Sequence, residues 1–525
     1  MARTLRLLQL VAFTTLFLGQ NLSSAASVEL PRSQQQEKKN SDVFQVLRVV
    51  PETADQLLAL KRLHKNATAL KLNFWKSPQK IGGAVDVMAP EANVPRLGTW
   101  FQEADLNSTV IIEDVEKLIL QREHKEDPFD RLLHDQNDQN EPRYNFHSYG
   151  SYPQMVSWMR ALSRKYPEIV QFISVGRTHE GRSIDGLEIG GGNRRKRVFW
   201  IDGGIHAREW AAPHTALYFI HQLTSKYGRD PNITNYVNDI TWVIVPSLNP
   251  DGYEFTRSST NPNVRLWRKN RAPSTCVRDQ WGRNRCCKGV DLNRNFDFHF
   301  KETGSSDDPC SEIYQGKAPF SEPESRAVRD AILSNRYRGR IDGFITLHTY
   351  SQIWIHPYGH RRDSYPGDIQ DLYQVGKKAT NALSKLYGTK YIVGSGADTL
   401  YPASGGSEDW AKQTGAIKFV YLLELRPDER NWDGFILDEN QLIPTASETW
   451  AGVKVVADAI IQRSKNKVSP RAQGASTKNR FGDGSPGSCY DEMHACKKWI
   501  QEQESLCKTV PRFMNDHCAY SCGHC

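Results

Sequence analysis

Four stretches of the chain are too apolar to leave either side in water: "KRVFWIDGG" at 196–204, "TWVIVPSLN" at 241–249, "IDGFITLHTY" at 341–350 and "IKFVYLLELR" at 417–426. Near-continuous apolar runs, rather than alternating ones, are what strands covered on both faces require. Between them lie stretches with helical periodicity, among them "PHTALYFIHQLTSKY" (213–227) and "DLYQVGKKATNALSKLYG" (371–388). Strand and helix in alternation predict an α/β domain, with helices covering a largely buried sheet. This domain spans residues 144–463, and its last helix is expected at about Ala446–Arg463.

At 525 residues the chain exceeds one ordinary domain; one unit of about 300 residues plus smaller pieces fits. The opening "MARTLRLLQLVAFTTLFLGQNLSSAAS" sets Arg3 and Arg6 before an apolar run, then small residues at Ala25 and Ala26. That is the layout of a secretory signal over residues 1–25. The run is short for a membrane span, so the expectation is a secreted, extracellular protein.

Residues 42–118 read as a small α/β domain. "VFQVLRVV", "GGAVDVMAP" and "NSTVIIEDV" are expected strands, and "ADQLLALKRLH" an expected helix. Residues 119–143 are densely charged, with Arg122, Lys125, Arg131 and Arg143 within reach of proteases. A folded unit on a cleavable connector predicts a propeptide; a plain linker between permanent domains is the competing reading. After the large domain, residues 464–488 read as a basic flexible linker. From Gln462 to Gly482 there are six Lys or Arg residues and no acidic one.

All ten cysteines fall in two even groups: Cys276, Cys286, Cys287 and Cys310, then six between Cys489 and Cys525. In a secreted chain this predicts two and three disulfides. The 489–525 segment has few large apolar residues, so crosslinks must replace a core there. The triplets at Asn66, Asn107 and Asn232 are candidate glycan acceptors. A formal charge of +8 does not predict a nucleic-acid partner: the densest basic run, "RRKR", has four residues and leads into a strand.

The chemistry starts in "IDGGIHAREW". His206 and Glu209 follow a strand and are three apart, so one turn can aim both at a single point. A pair is an incomplete zinc site, because a catalytic zinc takes three protein ligands and a water. His348, after the apolar "FITL", is a candidate third ligand at a strand end. His356 and His214 are rivals. Glu424 follows "FVYLL", where a buried charge needs a partner. It is either a structural ion-pair member or the base that takes a proton from a metal-bound water. Arg208, Arg268, Asn293 and Arg294 point to an anionic substrate, since Arg suits carboxylate capture and oxyanion stabilisation.

"GGIHAREW", "NPDGYEFTRS", "RLWRKNR", "GVDLNRNF", "LHTYSQIWIHPYG", "LYPASGGSEDW" and "ELR" occur in an order that resembles the zinc metallocarboxypeptidases of the pancreatic carboxypeptidase A/B type. The resemblance covers about residues 42–463, inhibitory propeptide included. It implies a central mixed eight-stranded sheet flanked by helices, and one zinc ion. It further implies His206, Glu209 and His348 as ligands, Glu424 as general base or acid, and Arg268 as the oxyanion support. Asn293, Arg294 and Tyr401 would hold the substrate's terminal carboxylate, with Arg208 assisting. Cys287–Cys310 matches the family disulfide; proximity pairs Cys276 with Cys286.

Gly396 and Glu408 stand where B-type enzymes have a small residue and an Asp, and where A-type enzymes have bulky apolar ones. A pocket carboxylate favours a basic terminal side chain and penalises an apolar one. The tail, 489–525, resembles the ShK toxin-like domain. The resemblance implies the pairs Cys489–Cys525, Cys496–Cys518 and Cys507–Cys522. The expected partner of this tail is an extracellular-matrix component rather than an ion channel; a small domain that merely protects the C-terminus is the competing reading. The expected function is therefore a secreted zymogen that, once cut by an activating protease within about 122–143, removes C-terminal residues from peptides and proteins. The contrasting class is a catalytically inactive extracellular binding protein on the same scaffold; zinc at the three ligands and chelator-sensitive hydrolysis separate the two.

Overall fold

The four apolar runs become the parallel centre of a mixed sheet. The structure, a computed structural model, describes residues 43–68, 70–123, 142–278 and 284–468, with 496, 500, 501, 505, 507, 518, 521 and 522 of the tail. The expected leader, most of the connector and most of the linker lie outside the described residues. Among the described residues, no helix is long and apolar enough to cross a membrane.

The first unit is a four-stranded antiparallel sheet of β1 (Phe44–Val49), β2 (Asn73–Lys76), β3 (Val85–Pro90) and β4 (Ser108–Ile112), in the order β2-β3-β1-β4. The helix Ala54–Lys65 starts on a capping box: the Thr53 hydroxyl accepts from the Gln56 amide, and the Gln56 side chain accepts from that of Thr53. Leu60 and Leu63 from this helix, with Leu97 and Phe101 from the helix Val94–Glu103, cover Leu47, Val85 and Val87. The other sheet face packs Phe44, Val46 and Trp75 against Leu266, Tyr350 and Phe435 of the large domain.

One boundary needs correcting. The expected connector begins at 119, yet a helix runs unbroken over Val115–Glu123, burying Ile119 and Glu123. Arg122 donates to Asp438 at 2.8 Å, so this charged turn is anchored to the large domain. Local charge density signalled an exposed connection because the partners lie more than 140 residues away.

The large domain continues with β5 (Val170–Arg177), β6 (Ser183–Ile189), β7 (Arg197–Gly203), β8 (Ile240–Val245), the hairpin β9 (Thr275–Arg278) and β10 (Asn284–Cys287), then β11 (Ile341–Ser351), β12 (Ile353–His356), β13 (Ile392–Ser395) and β14 (Phe419–Asp428). Eight of these form one sheet in the order β13-β12-β14-β11-β7-β8-β6-β5. Strands β14, β11, β7 and β8 are mutually parallel, while β12, β6 and β5 bring antiparallel pairings. Helices Tyr152–Lys165, Ala211–Lys226, Ile369–Tyr387 and Leu442–Val468 cover one face. Pro323–Leu333 and Ser407–Gln413 help cover the other. The last helix is longer at both ends than the expected 446–463, and it carries the first residues of the expected linker.

Candidate active site

Across the two central strands, His348 on β11 is directly opposite Glu424 on β14, and Leu347 is opposite Gly203 at the end of β7. His206 and Glu209 follow β7 in the next turn, where the Glu209 amide donates to the His206 carbonyl at 3.3 Å. The candidate residues thus collect at the carboxyl ends of parallel strands, where open α/β sheets leave room for ligands. Gly204 makes the turn possible: its φ is +61°, and a Cβ there would lie 2.9 Å from Pro213.

Nδ1 of His206 lies 2.8 Å from one Glu209 oxygen, and Nδ1 of His348 lies 3.1 Å from the other. The two Nδ1 atoms are 3.2 Å apart. Tetrahedral zinc with Zn–N bonds of about 2.0–2.1 Å sets two nitrogens roughly 3.3 Å apart, so this donor set fits the ion. All three residues are buried. Burial, then Arg268, lowers the His206 pKa, which favours the neutral imidazole a metal needs. Burial works against the charge of Glu209, but His206 and His348 outweigh it and hold the carboxyl far below its usual range. The rivals are elsewhere. His214 sits among Tyr144, Phe146 and Tyr149, and burial pushes it down to about 3. His356 contacts the Pro357 carbonyl at 2.8 Å.

A residue that the sequence reading passed over holds this cluster in place. Asp291, inside the quoted "GVDLNRNF", is fully buried; one oxygen is 3.1 Å from His206 Nε2. Its other oxygen accepts from Nε and Nη2 of Arg268 at 3.0 and 2.9 Å. The carboxylate therefore fixes the ring on one side and a guanidinium on the other. Burial disfavours the Arg268 charge, but Asp291 more than compensates and raises its pKa.

Among the described residues Glu424 makes no ion pair, and its Oε2 is buried with no hydrogen-bond partner. Burial pushes its pKa up to about 8, with Glu209 adding and His348 opposing. Farther into the cleft, Asn293 Oδ1 accepts from the Ser407 amide at 2.8 Å, and Arg294 reaches the Tyr401 hydroxyl at 3.3 Å. Gly405, at φ +77°, passes so close to Arg294 that a Cβ would lie 2.3 Å from its carbonyl oxygen. Arg208 is buried rather than exposed, stacked 4.0 Å over Phe435, with its pKa lowered to about 10 by burial and Arg268. At the far end, Glu408 is buried 3.4 Å from Asn293 Nδ2, and Gly396 lines the same cavity.

That cavity measures about 920 Å³ and is roofed by the first unit, with Asn73, Trp75 and Lys76 among its lining residues. Asn73 accepts from Arg208 at 3.3 Å. The propeptide-like unit therefore sits over the cleft and engages a cation inside it. Cys287–Cys310 and Cys276–Cys286 are both bonded, as are Cys496–Cys518 and Cys507–Cys522. The Cys489–Cys525 pairing lies outside the described residues.

The zinc carboxypeptidase family matches residues 155–452, which is more than half of the chain. This chain belongs to that family. The carboxypeptidase activation peptide matches residues 47–122, and the ShK domain-like family matches residues 488–525. Carboxypeptidase B of Astacus astacus is 44% identical over 60% of this chain and 97% of its own length. Carboxypeptidase A2 of Rattus norvegicus is 36% identical, over 79% of this chain and 93% of its own length. Among solved structures, the thrombin activatable fibrinolysis inhibitor superposes with a TM-score of 0.68 at 31% identity, covering 80% of this chain and 99% of the other. The protein is thus a zinc metallocarboxypeptidase with an activation peptide, and its His-Glu-His cluster is consistent with one zinc ion.

Proposed function

We propose that this zinc carboxypeptidase is a secreted zymogen which, once cut between residues 124 and 143, releases C-terminal Lys and Arg from peptides and proteins. The observation that carries the specificity is the Glu408 carboxylate, buried in the cavity beyond Asn293 and Arg294. Asp409 beside it is pushed well above the carboxylate range by burial and then by Glu408. An apolar terminal side chain would leave the Glu408 carboxylate buried and unpaired, whereas a Lys or Arg side chain would pair with it.

In this reading His206, Glu209 and His348 hold the zinc, which when bound supplies a polarised water and a Lewis acid for the scissile carbonyl. Glu424 takes a proton at its unpartnered Oε2 and later delivers it to the leaving amine. The Arg268 guanidinium, aimed by Asp291, stabilises the developing oxyanion. Arg294, Asn293 and Tyr401 hold the terminal carboxylate, and Arg208 guides it once Asn73 has left. Because those groups recognise a chain end, the site acts as an exopeptidase. The leader at 1–25, and the exposed Asn66, Asn107 and Asn232, support an extracellular location.

The test is a set of otherwise equal peptides ending in Lys, Arg, Phe and Leu, assayed before and after limited proteolysis, with and without chelator. Lys and Arg release should dominate, should require cleavage and should stop with chelator. Faster release of Phe would overturn the basic specificity.

A further inference from the structure

The sequence's densest basic run does not end as a mere strand entry. We propose that the pole of the catalytic domain opposite the cleft binds a linear sulfated polysaccharide. Residues 193–197 lead into β7 and residues 335–340 lead into β11, so two basic loops meet at the amino ends of neighbouring parallel strands. The Val198 amide donates to the Arg340 carbonyl at 2.9 Å. The Arg340 guanidinium in turn donates to the carbonyls of Arg336 at 2.7 Å and Lys196 at 3.2 Å. These bonds consume backbone oxygens rather than anions.

Acidic neighbours are scarce there. Asp342 is shared between Arg197, at 2.5 Å, and Arg463, at 3.9 Å, and Glu188 serves Arg336. Arg194, Arg195 and Arg338 are exposed and have no ion pair among the described residues. Nε of Arg340 and Nε of Arg463 are buried with no hydrogen-bond partner. Burial lowers the Arg340 pKa; Glu188 and Tyr337 oppose the shift, and the neighbouring Arg197 and Arg194 add to it.

Arginine suits sulfate because its paired N–H groups match two oxygens at once. Two adjoining loops bring several such groups to one surface, as a chain of closely spaced anions requires. The aromatic residue in these segments, Tyr337, is buried with its hydroxyl on Glu188. Nothing in these two segments stacks a base, as single-stranded nucleic acid would need. Seven residues of β7 separate the patch from the metal cluster, roughly 20 Å at about 3.3 Å per residue. A bound polysaccharide therefore leaves the cleft open, and the activation peptide leaves the patch open.

The experiment measures binding of the full-length zymogen and the activated enzyme to heparin, a linear sulfated polysaccharide, across a salt series. The patch variant R194Q/R195Q/R338Q should bind about tenfold or more weakly, with the slope of log Kd against log salt reduced by about 2 to 3. The equal-charge control K377Q/K378Q/K385Q, on the exposed side of the helix Ile369–Tyr387, should bind as the parent does. Zymogen and active enzyme should bind alike, and peptide hydrolysis by the patch variant should be unchanged. Parental affinity in the patch variant would overturn the proposal. So would complete loss of binding in the full-length linker variant K467Q/R471Q/K478Q alone, which would move the site to the linker. Equal affinity for duplex DNA or phosphatidylserine vesicles at the same salt would overturn the assignment to a sulfated polysaccharide.

Discussion

Glu123 and Arg265 are both fully buried and meet through two hydrogen bonds of 2.5 Å, from Nε and Nη2 of the guanidinium. One belongs to the activation peptide's last helix and the other to the wall of the catalytic domain. The same guanidinium stacks 3.6 Å from the Trp210 ring centroid and donates to the Arg208 carbonyl at 2.9 Å. Removing one partner of a buried pair costs about 3–5 kcal/mol, because the other is left uncompensated. Glu123→Ala should therefore loosen the peptide while leaving the catalytic core folded. Uncut zymogen carrying the change should hydrolyse a small C-terminal substrate measurably faster than the parent. Parental latency in that assay would remove the pair from the inhibitory contact.

Asp291 bears on metal affinity without touching the metal position. Asp291→Asn keeps the volume but weakens the hold on His206 Nε2 and on both Arg268 donors. Loss of such an outer partner costs about 10- to 100-fold in metal affinity or activity. Zinc Kd, read by competition with a chromogenic chelator, should rise by that factor. Retained affinity with lost kcat would instead assign Asp291 to orienting Arg268 alone.

Much of this site was legible because strand ends announce themselves. Apolar runs ending in His348 and Glu424 fixed where those side chains emerge, and the register then set them opposite each other. Its place after an apolar run favoured His348, but residue type alone did not separate it from His356 and His214, all three of which are buried. The outer sheet was also hard to read. β5 is an edge strand with a mostly part-exposed pattern, and β6 buries Asp185, Gly186 and Glu188, which look unlike strand residues. Gly186 is there because a Cβ would lie 2.4 Å from the Ile244 carbonyl oxygen on the neighbouring strand. The helix Val115–Glu123 was missed for a related reason: Arg122 and Glu123 look solvent-facing until Asp438 and Arg265 are brought to them.

The metal-free protein should show an unusual pH dependence through Glu424. Its pKa is raised to about 8, chiefly by burial, against 4.5 for an unperturbed group. The folded state therefore binds the proton more tightly than the unfolded chain. The stability this gives is fully present below about pH 4.5 and is lost as pH rises through about 8. Glu424→Gln mimics the neutral carboxyl and is indifferent to that rise. In chelator-treated samples the Tm of Glu424→Gln should exceed that of the parent by a margin that grows from pH 5 to pH 9. A constant margin would mean that the carboxyl is not held neutral in the fold.

If the proposed pocket ends at Glu408, a side chain added at Gly396, which lines the same cavity, should shorten it without disturbing the backbone. A Cβ there would lie 3.5 Å from Gly359 Cα and 3.6 Å from Ile355 Cγ2, ordinary contact distances. The branches of a larger side chain would extend into the space in front of Glu408. Forcing extra methylenes into a filled pocket costs about 1–3 kcal/mol, so Gly396→Ile should cut kcat/KM for Lys- and Arg-terminated peptides by about 10- to 100-fold. Peptides ending in Ala should be affected by less than about fivefold, because a short side chain never reaches the obstruction. Glu408→Gln should act differently: if the proposed specificity holds, Lys and Arg release falls while Leu and Phe release rises, because the buried carboxylate is replaced by an amide. Equal losses for all terminal residues in both variants would place the specificity pocket elsewhere.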